Sequence, residues 1–225
     1  MNETRDDVAL VVPLYNEASV IGDVIRDALG TFPHIICVDD GSSDGSAAAA
    51  LTAGATVLPH PTNLGQGAAL QTGFTYFLTK TDLKYVVTFD ADGQHQVSDA
   101  LEMVKKAEDE DLAIVFGSRF LAGEVEAGLA KRIVLKTAAY VTRHQTGLKL
   151  TDAHNGLRLL RRDALEKFEL THNRMAHASE IVTKLAKTGL PWTEMPVRIR
   201  YTDYSKAKGQ SLLNSVNIIT DLLLH

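Results

Sequence analysis

Two carboxylates one residue apart, Asp90 and Asp92, close the run VVTFDADGQHQ at residues 86–96. The β-branched and aromatic residues ahead of them read as a strand, so the pair falls in the tight loop where that strand ends. An isolated D-x-D at such a place is commonly a solvated acidic tip. The alternative is hard-cation chemistry: magnesium takes carboxylate oxygens and usually completes its shell with substrate phosphates instead of a full protein cage. Gln94 and His95 follow the pair closely. A mononuclear zinc would want more His or Cys ligands than this loop holds, and His95 by itself reads as a packing or supporting residue rather than a ligand.

A second acidic cluster, VDDGSSDGS, places Asp39 and Asp40 at the end of another apolar run. One reading is a turn with a helix cap at Ser43 or Asp44. The other is a strand-end carboxylate that accepts hydrogen bonds from a base or ribose. Neither the G-x-G-x-x-G pattern nor the G-x-x-x-x-G-K-[ST] pattern occurs, and NLGQGAA fits neither, which lowers the expectation of a dinucleotide cofactor or a P-loop.

The elements that must position these clusters are legible from periodicity. Strands are expected at 8–12, 35–38, 56–58, 85–89 and 113–116, separated by helical segments at 21–29, 43–52, 66–78 and 97–107. Gly30 is expected to stop the first helix. Short apolar runs alternating with helices form a doubly wound, mostly parallel sheet, which binds ligands beyond the carboxyl ends of its strands. PLYNE, DDGSSDGS, HPTNLGQG and DADGQH each follow a strand, so all four polar loops fall at that edge. Beyond Gly117 the pattern changes: a helix at 128–144 carrying Lys131, Arg132, Lys136 and Arg143, a turn LTDAHNG, a strand at 157–161, a helix near 178–188 and a strand at 192–199. A basic loop and a terminal helix complete the chain.

With 225 residues, 45% of them hydrophobic, the chain suits one well-cored domain with extensions. The formal net charge of −5 argues against general attraction to nucleic acid. The lone Cys37 has no partner for an internal disulfide, which points to a cytosolic setting. The polar, acidic N-terminus is unlike a signal peptide, and no uninterrupted apolar run approaches the roughly 18 residues of a membrane span.

VVPLYNEASVI, VDDGSSDGS, HPTNLGQGAALQTG, DADGQH, GSR and TDAHNGLRLLRR, in that order, resemble the family 2 glycosyltransferases of GT-A fold, most closely the branch that glycosylates polyprenyl phosphates. The resemblance spans roughly residues 8–211. It implies a GT-A domain over 1–211, with a nucleotide-sugar half at 8–119 and an acceptor half at 120–211, followed by an amphipathic helix at 212–225. Pro13, Tyr15 and Glu17, with Asp39 or Asp40, would then contact the base and ribose of a UDP- or GDP-sugar. Asp90, Asp92 and Gln94 would hold Mg²⁺ or Mn²⁺ against its diphosphate. Arg119 would stand near the phosphates, with Arg200 in the basic loop that closes over them. Asp152 is read either as a base for a hydroxyl acceptor or as an orienting group for Arg158, and Glu180 as a pocket carboxylate or a helix cap. Arg132 and Lys136 would meet the acceptor phosphate, although Lys136 stands where relatives carry a small hydroxyl residue. Gln66 likewise replaces a basic residue. The implied reaction is an inverting transfer to a polyprenyl phosphate at the cytoplasmic membrane face, with room for a small integral membrane partner protein. A glycan or protein hydroxyl acceptor, or nucleotide-sugar binding without turnover, are the competing readings.

Overall fold

The computed structural model describes residues 3–121, 146–174 and 176–200. Its elements run β1 (Val8–Leu14), α1 (Ile21–Leu29), β2 (His34–Asp39), α2 (Ser46–Ala53), β3 (Thr56–Pro59), α3 (Gln66–Lys80), β4 (Tyr85–Thr88), α4 (Val97–Asp109), β5 (Ile114–Ser118), β6 (Arg158–Arg161), α5 (Arg162–Leu165), α6 (His177–Lys187) and β7 (Trp192–Pro196). Seven strands form one sheet in the order β3-β2-β1-β4-β6-β5-β7.

Strand β1 shows how the sheet is covered. Val8, Leu10, Val12 and Leu14 point into a core shared with Ile21 and Ile25 of α1 and Met103 and Val104 of α4. Ala9 and Val11 point to the opposite face, against Leu70, Phe74 and Phe77 of α3 and Ile181 and Leu185 of α6. Alternate side chains leave opposite faces of a strand, so a strand buried on both faces reads as a continuous apolar run.

Strand β6 departs from the parallel pattern. It lies antiparallel to both β4 and β5, pairing Thr88 with Arg158 on one side and Phe116 with Arg158 on the other. This inserts the TDAHNGLR segment between the ends of two strands that carry site loops. Thr88 Oγ1 donates to Gly156 O and accepts from the Arg158 N–H at 3.2 Å, while the Gly117 N–H reaches Leu157 O at 3.0 Å.

Two boundaries differ from the sequence expectations. Gly30 is right-handed (φ −66°, ψ −18°), so α1 ends through the Thr31 and Phe32 N–H groups bonding to Ala28 O, not through a left-handed glycine. The last strand stops at Pro196 instead of 199, because its partner β5 ends at Ser118. From there the chain turns toward the loop before α4. The expected helix at 128–144, with Lys131, Arg132 and Lys136, lies outside the described residues, as do the basic loop after Arg200 and the terminal helix.

Candidate active site

The first two loops are laced together by side chains that satisfy backbone donors. Asn16, left-handed at φ 53°, donates its N–H to Ser42 Oγ and accepts the Ser43 N–H on its side-chain oxygen. The Glu17 N–H reaches Ser46 Oγ at 2.7 Å, and Asp44 accepts the Ala18 and Ser46 N–H groups. Asp44 thus takes the capping role, while Gly45, at φ 87°, occupies the cap position of α2 itself. Tyr15 stands 45% exposed in the loop after β1.

The structure separates the two aspartates that sequence left as alternatives. Asp40 accepts the Leu64 and Gly65 N–H groups at 2.9 and 2.7 Å and His60 Nδ1 at 2.8 Å. Its oxygens are spent on closing the loop after β3. Asp39 carries a single long contact from the Ser42 N–H, 3.4 Å, among its described side-chain bonds. Asp39 is therefore the one of the pair with more acceptor capacity left for a ligand.

At the end of β4, Asp90 Oδ2 accepts from His95 Nε2 at 2.9 Å, and Gln66 Nε2 lies 3.4 Å from Oδ1. Burial pushes the Asp90 carboxyl up, but His95, Arg158 and His177 outweigh it and hold the group below the usual carboxylate range. Asp92 moves the other way: burial and then the charge of Asp90 raise it, against the Gln94 N–H donated to its Oδ1 at 3.0 Å. Two carboxylates that repel each other in a partly buried loop fit a divalent cation between them. Among the described residues no three His, Cys, Asp or Glu side chains gather into a full cage. A pair of aspartates with open positions is the arrangement magnesium or manganese takes when phosphates complete the shell.

Behind Asp90 lies a cavity of about 170 Å³, lined by Gln66, Thr88, His154, Arg158 and His177 and floored by Pro13 and Leu70. Arg158 is 2% exposed, its Nε has no hydrogen-bond partner, and burial lowers its guanidinium to about 10. Burial also lowers His154, to about 4, and His177. The wall therefore presents the Arg158 cation beside two imidazoles whose protonation burial disfavours.

Arg119 and Asp152 form a bidentate pair: Nε to Oδ2 at 2.6 Å, Nη2 to Oδ1 at 2.8 Å, with the Arg119 N–H on Oδ2 at 3.1 Å. Asp152 is 2% exposed; burial raises its carboxyl, and Arg119 more than reverses this. The pairing is to Arg119, whereas the sequence reading offered Arg158 as the group it orients. Glu194 of β7, which sequence reasoning missed, accepts the Thr151 and Asp152 N–H groups at 2.8 and 3.1 Å and so holds the backbone that aims Asp152.

Strand β7 also delivers Arg200. The Arg200 N–H bonds Gln94 O at 2.9 Å and the Arg198 N–H bonds Asp99 Oδ2 at 2.7 Å. The chain entering the basic loop is thereby tied to the carboxylate loop. Glu180 is a clamp: it accepts the Thr171 and His172 N–H groups and pairs with Lys184 at 2.8 Å. That turn places Asn173 O on the Gly67 N–H at 2.8 Å, covering the start of α3. Arg132 and Lys136 are outside the described residues.

Residues 9–168 match the Glycosyl transferase family 2 domain. An uncharacterized protein of Methanocaldococcus jannaschii is 32% identical over 98% of this chain and 92% of its own length. The UDP-N-acetylglucosamine–dolichyl-phosphate N-acetylglucosaminyltransferase of Methanococcus voltae is 27% identical over 96% of this chain and 95% of its own. Among solved structures, glucosyl-3-phosphoglycerate synthase of Mycobacterium tuberculosis with Mg²⁺ and UDP superimposes with a TM-score of 0.67 over 97% of this chain and 78% of that one, at 18% identity. That likeness concerns the fold, which is GT-A. With the domain match covering most of the chain and a relative above 30% identity along nearly its whole length, the chain belongs to glycosyl transferase family 2.

Proposed function

We propose that this glycosyltransferase moves a sugar from a UDP- or GDP-sugar to a polyprenyl phosphate, working at the cytoplasmic face of a membrane through its 1–211 unit. Asp90 and Asp92, with Gln94 beside them, would hold Mg²⁺ or Mn²⁺. A cation there stabilises the charge that develops on the departing diphosphate. Pro13, Tyr15, Glu17 and Asp39 are the base and ribose contacts in this reading. Arg119, fixed by Asp152, supplies a cation that needs no reorganisation as the leaving phosphate gains charge. Arg200, whose N–H bonds Gln94 O, adjoins the carboxylate loop.

The observation that carries the acceptor class is the state of Asp152. A hydroxyl acceptor needs a carboxylate to take its proton, whereas a phosphate monoester is ionised near neutral pH and attacks directly. Asp152 is ion-paired, buried and held below the usual carboxylate range, which makes it a poor base and a good anchor. The dolichyl-phosphate substrate in the name of the Methanococcus voltae relative supports the same choice. Arg132 and Lys136 remain the expected contacts to the acceptor phosphate.

A panel of UDP- and GDP-sugars, incubated with Mn²⁺ with and without a short polyprenyl phosphate and read by mass spectrometry, tests this. A glycolipid phosphate formed from one donor is the expected product. Transfer only to glycan or peptide hydroxyls would overturn the acceptor assignment, and binding without any turnover would overturn the enzymatic one.

A further inference from the structure

Asp90 is held from behind more firmly than a solvated loop carboxylate needs to be. The His95 side chain is 3% exposed, and its ring meets Phe89 edge-on with centroids 5.4 Å apart. Phe89 is itself buried. The imidazole therefore has little room to turn away from Asp90 Oδ2. Its other nitrogen, Nδ1, is buried without a hydrogen-bond partner. Only the tautomer with hydrogen on Nε2 serves this arrangement, because the other would bury an unpartnered N–H and face a lone pair to the carboxylate. An apolar ring in this slot would carry no orphaned nitrogen, so packing alone does not account for a histidine.

The opposite flank of the same oxygen is closed by backbone. A Cβ built on Gly156 would overlap Asp90 Oδ2 and lie 3.0 Å from both its Cγ and its Oδ1, so Oδ2 is the oxygen the glycine crowds most. Gly156 cannot drift away to make room, since its carbonyl accepts the buried Thr88 hydroxyl. Oδ2 is thus enclosed by an imidazole N–H and a glycine, while Oδ1 meets the long Gln66 contact.

We propose that His95 is a positioning residue for the cation site, with Gly156 supplying the space it requires: together they fix the Asp90 carboxylate so that Oδ1 is the oxygen offered to a divalent cation shared with Asp92. The inference rests on the reading of Asp90 and Asp92 as a cation pair. Hydrogen bonds to ligating carboxylates set ligand orientation, and their loss typically costs about 10- to 100-fold in metal affinity.

The test is titration of Mn²⁺ into the full chain, followed by electron paramagnetic resonance, alone and with UDP or GDP, alongside melting curves of the metal-free protein. His95→Phe is expected to weaken Mn²⁺ binding about 10- to 100-fold. His95→Gln, whose amide can donate to the same oxygen, should recover part of that loss. Gly156→Ala should weaken binding with His95 intact, and it carries the test if His95→Phe does not fold. A folded His95→Phe, or a folded Gly156→Ala, that binds Mn²⁺ as tightly as the parent overturns the proposal while leaving the cation reading in place. A parent that binds no Mn²⁺ with either nucleotide overturns both.

Discussion

Asp92 is a half-buried carboxylate and Asp152 a buried one, and their surroundings push them in opposite directions. Asp92 is raised by burial and by Asp90, so protons compete for it at a higher pH than for an ordinary aspartate near about 3.9. Only the ionised form ligates a cation. Mn²⁺ affinity should therefore begin to fall, as pH is lowered, while an ordinary aspartate would still be fully charged. Asp92→Asn should lose most Mn²⁺-dependent nucleotide binding and with it this pH dependence, which parallel titrations at several pH values would reveal. Activity of the parent undiminished by EDTA would contradict the assignment. Asp152 is depressed by Arg119, so its stabilising contribution is present above the unfolded value and is lost as pH falls through the folded one. Asp152→Asn removes the Asp152 charge from a partly buried Arg119, at a cost of about 3 kcal/mol. Melting curves should show that deficit narrowing in acid, where the parent's own pair is also lost. A catalytic base would instead show its loss in kcat with stability unchanged.

At the scale of elements, the strand and helix sequence was legible because local periodicity carries it. Strands β1 and β2 are apolar on both faces, and α1 and α4 bury one stripe each. The place of β6 was not legible. A four-residue strand inserted antiparallel between β4 and β5 depends on partners about 70 and 45 positions away, and nothing local in RLLR encodes them. The same holds for Glu194 and Asp99, whose roles appear only when β7 meets the loops before α4 and after β5. The NLGQG glycines had a local signal without its meaning. They matched no phosphate-loop pattern, and the structure gives them another use: Gly65 and Gly67 allow the 172–173 backbone to press onto the start of α3. A Cβ at Gly67 would overlap His172 O. Gly67→Ala should therefore destabilise the fold by about 1–3 kcal/mol through overpacking. Glu180→Gln, which keeps the volume and removes the clamp's charge, should loosen the same turn. Hydrogen exchange at Thr171 and His172 would report both, and protection equal to the parent in either variant would show the clamp is dispensable.

At the scale of the whole molecule, the question is how a chain with this composition would meet the proposed lipid-linked acceptor. None of the described helices is long and apolar enough to cross a membrane. The formal net charge of −5 would repel an anionic surface if it were spread evenly, but Arg198, Arg200, Lys206 and Lys208 fall within eleven residues. The first two leave the sheet beside the carboxylate loop. Immediately after them, Leu212, Val216, Ile219 and Leu223 recur at helical spacing, with Leu213 and Leu222 adjoining. Basic residues near an anionic surface contribute roughly 1 kcal/mol each, and a short apolar stripe adds interfacial burial without spanning. The protein is expected to pellet with anionic liposomes at low salt and to be partly released at high salt, because screening weakens the electrostatic part alone. Deleting residues 212–225 should reduce pelleting while nucleotide binding persists, since every proposed donor contact lies at or before Arg200. Unfolding of the truncated chain would place the stripe in the core, and indifference of the intact chain to liposomes at every salt would mean that a membrane protein delivers the acceptor.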